Sequence, residues 1–186
     1  MAIISRREAL SLSLLSTLAV AGSVLPAQAK SGAQIDGEVR ETLHQFDLQI
    51  RGSRELLAKS AAVLVFPSVI KAGVGIGGEY GEGALLVRGR TAAYYNTVSA
   101  SVGFQLGAQA RSVIIVFMTE DALSSFRRVN GWKIGVDGSV ALITVGVGGS
   151  IDTSKIVNPI VGFIFDNKGL MYNLTLEGSK ISRISR

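Results

Sequence analysis

The side chains best suited to acid–base chemistry in this sequence are two glutamates three residues apart. Glu79 and Glu82 flank Tyr80 and Gly81 within a glycine-rich stretch. Because paired carboxylates can act as general acid and base, one hypothesis is an enzyme that uses Glu79 or Glu82 on an envelope substrate. Glycines on both sides also fit exposed turn residues, and the sequence favours this second interpretation.

Other catalytic and metal-binding chemistries find little support. His44 is the only histidine, and the chain has no cysteine, which excludes disulfides, thiolate metal sites and a cysteine nucleophile. Residues 73–78 read GVGIGG and fit G-x-G-x-x-G. A dinucleotide site would need a helix to follow, whereas a strand pattern follows here. We therefore predict a non-catalytic protein without cofactor or metal.

Basic residues could instead bind an anionic surface. The chain has 19 Lys and Arg against 14 Asp and Glu, a net charge of +5. No dense basic cluster with interleaved aromatics predicts nucleic acid as a partner. Lys180, Arg183 and Arg186 stand three apart with Ile181 and Ile184 between them. On a helix they would form the basic stripe typical of membrane-surface helices, and a frayed basic terminus fits the same pattern.

The segment 33–59 has a helical pattern. Its apolar residues recur at spacings of three and four: Ile35, Val39, Leu43, Phe46 and Ile50. This spacing predicts one apolar helix face, which we expect to pack on a sheet, with a membrane surface as the alternative. Gly52 is predicted to end the first helix, and Ser53 to cap a short second one.

From residue 61 onward the pattern is that of short strands. They are predicted over 61–66, 70–83, 84–88, 91–98, 101–110, 112–118, two within 132–147, 160–165 and 170–176. Turns are expected at 88–90 and 166–169, and a helix capped by Thr119 should run to Arg128. The glycines at 73, 75 and 77 share one strand face, which needs a close neighbour. The predicted fold class is α+β: N-terminal helices packed on a curved, glycine-rich, mostly antiparallel sheet or barrel.

The first 29 residues are typical of a cleaved signal peptide. A basic start at Arg6 and Arg7 precedes an apolar stretch over 9–24 and the A-x-A site Ala27-Gln28-Ala29. The start also resembles a twin-arginine signal. We expect an exported protein, periplasmic or at the cell surface, whose mature domain of residues 30–186 begins at Lys30. With Glu8 also removed, 17 basic and 13 acidic residues would leave a net charge of +4.

The order of several motifs resembles a known family. Residues 62–67 (AVLVFP) lead into 73–83 (GVGIGGEYGEG) and 85–88 (LLVR), followed by 102–109 (VGFQLGAQ), 117–119 (FMT), 169–170 (GL) and 176–178 (LEG). In sequence and order these motifs are similar to the SYLF domain, a lipid-binding module of bacteria and of eukaryotic membrane-and-actin proteins. The resemblance covers nearly all of residues 30–186.

The resemblance implies a lipid partner. Phosphoinositides are the ligands associated with eukaryotic members, in which a basic amphipathic segment near the N-terminus contacts the membrane; for an exported bacterial protein we expect anionic phospholipid. The matching region 35–71 and the basic C-terminal residues together supply the predicted lipid-binding cations. They are Arg40, Arg51, Arg54, Lys59, Lys71, Lys180, Arg183 and Arg186. The alternative is an envelope protein-interaction or scaffold domain whose sheet edge accepts a partner strand.

Overall fold

The computed structural model describes residues 29–103, 109–143, 150–166, 169–170 and 176–186. The predicted signal peptide lies outside these residues except for Ala29. The described helices are α1 (Gly32–Gln49), α2 (Ser53–Lys59) and α3 (Glu120–Arg128). The strands are β1 (Ala62–Val87), β2 (Arg90–Gly103), β3 (Gln109–Phe117), β4 (Trp132–Lys133), β5 (Ala141–Leu142), β6 (Ile160–Asp166), β7 (Gly169–Leu170) and β8 (Lys180–Ile184).

The two N-terminal helices are separated at Gly52. A capping box between Ser31 and Gln34 starts α1. Gly52 adopts the left-handed backbone conformation with φ of 86° and is itself the N-cap of α2. The prediction that Ser53 caps α2 is therefore wrong: Ser53 is already helical, and its hydroxyl donates to Asp47 at 3.1 Å.

Strand β1 is the longest element and belongs to both halves of the sheet. Its N-terminal part, 62–71, pairs with β3, and its C-terminal part, 75–87, pairs with β2. The predicted strands 61–66 and 70–83 are parts of this one strand, which continues through Pro67 because the register shifts between Phe66 and Val69. Such an irregularity accommodates a proline, which has no N–H to donate.

Two glycines let the halves of β1 approach each other. A Cβ at Gly83 would lie 2.0 Å from the carbonyl oxygen of Val65, and one at Gly81 would lie 2.9 Å from that of Ser68. The sequence pattern predicts a strand face of glycines with a close neighbour. It assigns that face to residues 73, 75 and 77, whereas these close contacts are at Gly81 and Gly83.

In the described residues, the strands form one curled sheet in the order β4-β8-β2-β1-β3-β6-β5, with β7 paired to β6. The α+β class and the curved, mostly antiparallel sheet are thus confirmed. The sheet is mixed, because β5 runs parallel to β6. The helices are not all N-terminal, since α3 follows β3 and is capped by Thr119 as predicted.

Apolar side chains fill both faces of the sheet. Inside the curl, residues of β1, β3 and β8 pack with α3 and Trp132. On the outer face, Phe46 of α1 contacts Phe163 and Phe165 of β6, with ring centroids 4.9 and 5.9 Å apart. The apolar face of α1 is therefore buried against the sheet rather than available to a membrane.

The C-terminal residues form a strand rather than a helix. Residues 180–184 are β8, which pairs antiparallel with β2. Both earlier interpretations of this segment, a basic helical stripe and a frayed terminus, are wrong. The pairing explains the difference, because β8 satisfies one edge of β2 and buries Ile181 in the inner core. The hairpin at 88–90 is confirmed, with Arg88 and Gly89 both at positive φ.

Candidate anion-binding groove

An open groove of about 1160 Å³ runs between the end of α3, the start of β2 and the end of β8. Four arginines and one acidic residue line it. They are Arg127, Arg128, Arg183, Arg186 and Asp36. We call this surface the arginine groove.

Local sequence places two of the arginines at the end of α3. Thr119 caps the helix by accepting a hydrogen bond from the N–H of Ala122 at 3.2 Å. The helix is nine residues long, and Arg127 and Arg128 form its last turn. Cations are favourable there, because the helix dipole places partial negative charge at its C-terminus. Arg127 and Arg128 therefore stabilise the end of α3 and also give the groove positive charge.

Strand pairing places the third arginine. Arg183 lies directly opposite Tyr95 in the pairing of β8 with β2. The ring of Tyr95 packs on Phe126 of α3, with centroids 5.1 Å apart. Burial raises the pKa of the Tyr95 phenol, and the positive charges of Arg183 and Arg127 partly offset that effect. Tyr95 thus forms an aromatic floor that is close to both arginines.

The positive charge of this groove is largely uncompensated. Asp36 accepts hydrogen bonds from Thr91 at 2.8 Å and from Tyr94 at 3.0 Å. Within the described part of the chain, no carboxylate lies within 4 Å of the guanidinium groups of Arg127, Arg128 or Arg183. The three exposed side chains are therefore available to an anion.

Arg186, at the edge of the groove, is already engaged. Its guanidinium group forms an ion pair with Glu82, and its side chain is only 17% exposed. Of the C-terminal cations predicted to bind lipid, Arg183 faces the groove with its charge unpaired. Lys180 is exposed beside the turn at Gly131.

The predicted N-terminal cations do not join this surface. Arg40 and Arg51 are exposed outside the groove lining. Arg54 pairs with Asp47 at 2.5 Å, and Lys59 pairs with Glu55 at 2.6 Å.

Lys71 is likewise outside the groove, because it lies on β1 with its ammonium 4.0 Å from Glu79. Sequence reasoning missed Arg127 and Arg128. The available signal was an arginine pair closing an amphipathic helix.

Glu79 and Glu82 are not a catalytic pair. Both are on β1 rather than in an exposed turn, with only 9% and 8% of their surface exposed. Being three residues apart on a strand, they point to opposite faces of the sheet.

Each carboxylate is held by its own partners. Glu79 accepts from Arg111 at 2.5 Å and from Ser99 at 3.3 Å. Glu82 accepts from Tyr80 at 2.7 Å and from Arg186.

Inside the curl, the Glu79–Arg111 pair borders a cavity of about 10 Å³, which is about the size of one water molecule. Among the described residues, no group of three or more His, Asp and Glu side chains could hold a metal ion. In the same part of the chain, no helix is long and apolar enough to cross a membrane.

The domain is a curled α+β fold in which the two buried glutamates are held by arginine partners. Its open surface is lined by arginines, and this combination is that of a binding module. Residues 98–185 match the family described as "Ysc84: Las17-binding protein actin regulator". This part of the chain belongs to that family, the SYLF-domain family that the motifs indicate. The match includes Arg127, Arg128 and Arg183. No curated protein matches the sequence.

Proposed function

We propose that this protein is an exported module that binds anionic phospholipid surfaces through the arginine groove. The single observation that carries the proposal is the set of three unpaired arginines around an open surface. A guanidinium group donates forked hydrogen bonds that suit the oxygens of a phosphate. Membership of a binding-domain family supports the non-enzymatic part of the proposal.

Charge explains how such a surface could work without a deep pocket. Each Lys or Arg near an anionic leaflet contributes about 1 kcal/mol, an effect that is screened beyond a Debye length. Three groove arginines would thus contribute about 3 kcal/mol at low salt. This is on the order of a 100-fold effect on affinity.

A protein-interaction function is the second candidate, because the description of the family names a Las17-binding actin regulator. In the described sheet, edge pairing has only short stretches to use, since the end strands β4 and β5 have two residues each and β4 leaves only residues 182–184 of β8 without a partner on that side. Short edges offer few unpaired backbone groups to a partner strand. A protein ligand would instead have to use a side-chain surface.

The test is co-sedimentation of the exported protein with vesicles, comparing two triple variants of equal charge change. R127Q/R128Q/R183Q removes the groove cations, and R40Q/R51Q/R54Q removes three exposed N-terminal ones. We expect the groove variant to lose on the order of 100-fold in affinity for phosphatidylglycerol vesicles at low salt. The N-terminal variant should lose only a few-fold.

Salt and lipid composition complete the design. Binding should weaken as salt rises and should be absent with neutral vesicles. Vesicles containing a phosphoinositide, matched in surface charge to phosphatidylglycerol, test whether the headgroup itself is recognised. Equal losses in the two triple variants would show that net charge alone matters, and no binding to any vesicle would make a protein partner the leading hypothesis.

A further inference from the structure

The buried carboxylate of Glu82 has more acceptor capacity than its neighbours fill. Its side chain is 7% exposed, and its Oε1 accepts from Tyr80 and Arg186. Its Oε2 is buried and has no hydrogen-bond partner among the described residues. A buried acceptor whose hydrogen bond is not made in good geometry costs free energy of about 1–3 kcal/mol, so a better placed donor at this oxygen would stabilise the fold.

A second unpaired acceptor stands beside it. Asn96 is directly opposite Glu82 in the pairing of β1 with β2, which puts the two side chains on one face of the sheet. The Oδ1 atom of Asn96 is also buried and has no partner in the described part of the chain. One group with several donors could therefore satisfy both oxygens.

The start of α1 lies over this same face. A Cβ on Gly32 would lie 2.7 Å from the hydroxyl of Tyr94, which is two residues from Asn96 on β2. The backbone N–H of Lys30 is close enough to Glu82 to help lower the pKa of that carboxyl. The Lys30 ammonium points elsewhere, because it pairs with Glu38 at 2.5 Å.

We propose that cleavage after Ala29 turns the backbone nitrogen of Lys30 into an α-ammonium group that pairs with Glu82 Oε2 and donates to Asn96. Hydrolysis of the Ala29–Lys30 bond gives the Ala29 carboxylate and the Lys30 amine, which takes up a proton at neutral pH. One peptide N–H donor becomes three donors with a positive charge. The proposal rests on the export and processing that form part of the proposed function.

This pairing ties the processed N-terminus to the arginine groove. Glu82 would hold the α-ammonium through one oxygen and Arg186 through the other. Arg186 and Asp36, one turn into α1, both line the groove. Signal removal would thus complete the fold at this corner rather than only release the chain.

The test uses the full chain with a specific protease site inserted directly before Lys30, so that cutting leaves Lys30 first. The matched control carries the site before Ala29, which leaves the amine one residue away. Thermal unfolding is measured at pH 7 before and after cutting. We expect the cut before Lys30 to raise Tm by roughly 3–8 °C more than the cut before Ala29.

The variant E82Q tests whether the gain in Tm after cutting before Lys30 depends on the carboxylate of Glu82. In E82Q the difference between the two cut proteins should largely disappear, because the amide offers no negative charge. Equal Tm changes at both cut positions, or a gain that persists in E82Q, would overturn the pairing. If E82Q does not fold, the comparison of the two cut positions with Glu82 intact still decides the question.

Sequencing the N-terminus of the naturally exported protein tests the processing step separately. Lys30 as the first residue supports the proposal, and any other first residue overturns it. The vesicle experiment does not depend on this result. Failure of lipid binding and failure of the N-terminal pairing are therefore distinguishable.

Discussion

At the scale of single residues, the bend of β1 depends on the absence of a side chain at Gly83. A Cβ there would lie 2.0 Å from the backbone oxygen of Val65. The end of a flexible side chain could rotate away from an added Cβ, but the backbone of Val65 cannot. An alanine at position 83 would therefore force the two halves of β1 apart. The glycine is therefore needed for the close approach.

We predict that Gly83→Ala strongly destabilises the protein while Gly37→Ala stabilises it. Gly37 lies inside α1, where a Cβ would meet nothing within 4 Å. Alanine is favoured over glycine inside a helix by roughly 0.5–1 kcal/mol, which should raise Tm by about 1–4 °C. G83A should lower Tm by 10 °C or more on the same order-of-magnitude scale.

Thermal unfolding of both variants checks this prediction. Gly78→Ala is a useful third protein, because it lies on the same strand and its Cβ would have its nearest contact at an ordinary 3.6 Å. If G83A and G78A unfolded at similar temperatures, the close approach of the two halves of β1 would be contradicted.

At the scale of elements, the packing of α1 on the sheet is carried by aromatic contacts. Phe46 is 1% exposed and contacts two phenylalanines of β6. We predict that Phe46→Ala costs about 3–5 kcal/mol of unfolding free energy, because it removes buried apolar contacts and leaves a cavity. Leu48, on the same helix, is 66% exposed, so Leu48→Ala should change stability by less than about 0.5 kcal/mol.

Denaturant unfolding measures both values, and vesicle binding separates packing from membrane insertion. Well below its unfolding temperature, F46A should bind anionic vesicles as the unchanged protein does. A loss of vesicle binding in folded F46A, with stability unaffected, would instead favour the membrane-facing interpretation of α1.

The sequence predicted those elements that are specified by residues close together in the chain. The cap at Thr119, the helix to Arg128 and the turn at Arg88-Gly89 were all recognised, because capping and turn chemistry act over a few residues. The course of β1 through Pro67 was not, since it depends on a register shift against β3. The strand at 180–184 was missed for a similar reason: the edge of β2 that it satisfies lies about 85 residues earlier in the sequence.

At the scale of the whole molecule, the candidate site is a product of assembly. The arginine groove joins α3, β2 and β8, and its sequence positions span 36–186. Sequence could flag Arg183 as a cation but could not show that it faces Arg127 across Tyr95. Burial of Glu79 was equally invisible, because its partner Arg111 is 32 residues away.

Several carboxylates together should make stability sensitive to acid. The pKa of Asp47 is lowered by the hydrogen bond from Arg54, that of Glu55 by the hydrogen bond from Lys59, and that of Asp152 mainly by its hydrogen bond with Ser154. Glu55 and Asp152 are exposed, so solvent and salt weaken their contributions, whereas Asp47 is partly buried with 18% of its side chain exposed. Among the groups with a resolved shift, Glu82 differs in being a buried carboxylate.

For Glu82, burial raises the pKa, but the hydrogen bonds from Tyr80 and Arg186 and the charge of Arg186 outweigh it. The net pKa therefore lies below the ordinary 4.5. A pKa that is lower in the folded state means that the unfolded chain takes up the proton first. The stabilising effect of the Glu82 charge is then complete above about pH 4.5 and is lost as pH falls through the folded-state pKa.

We predict that the Tm difference between the unchanged protein and Glu82→Gln is largest at neutral pH and shrinks steadily below about pH 4.5. Glu41→Gln, at an exposed glutamate of α1, controls for the removal of one carboxylate. Thermal unfolding from pH 7 to pH 3 at fixed ionic strength provides the measurement. A Tm difference that stayed constant over this range would mean that E82Q acts through shape alone, and that the charge of Glu82 does not hold this corner of the fold together.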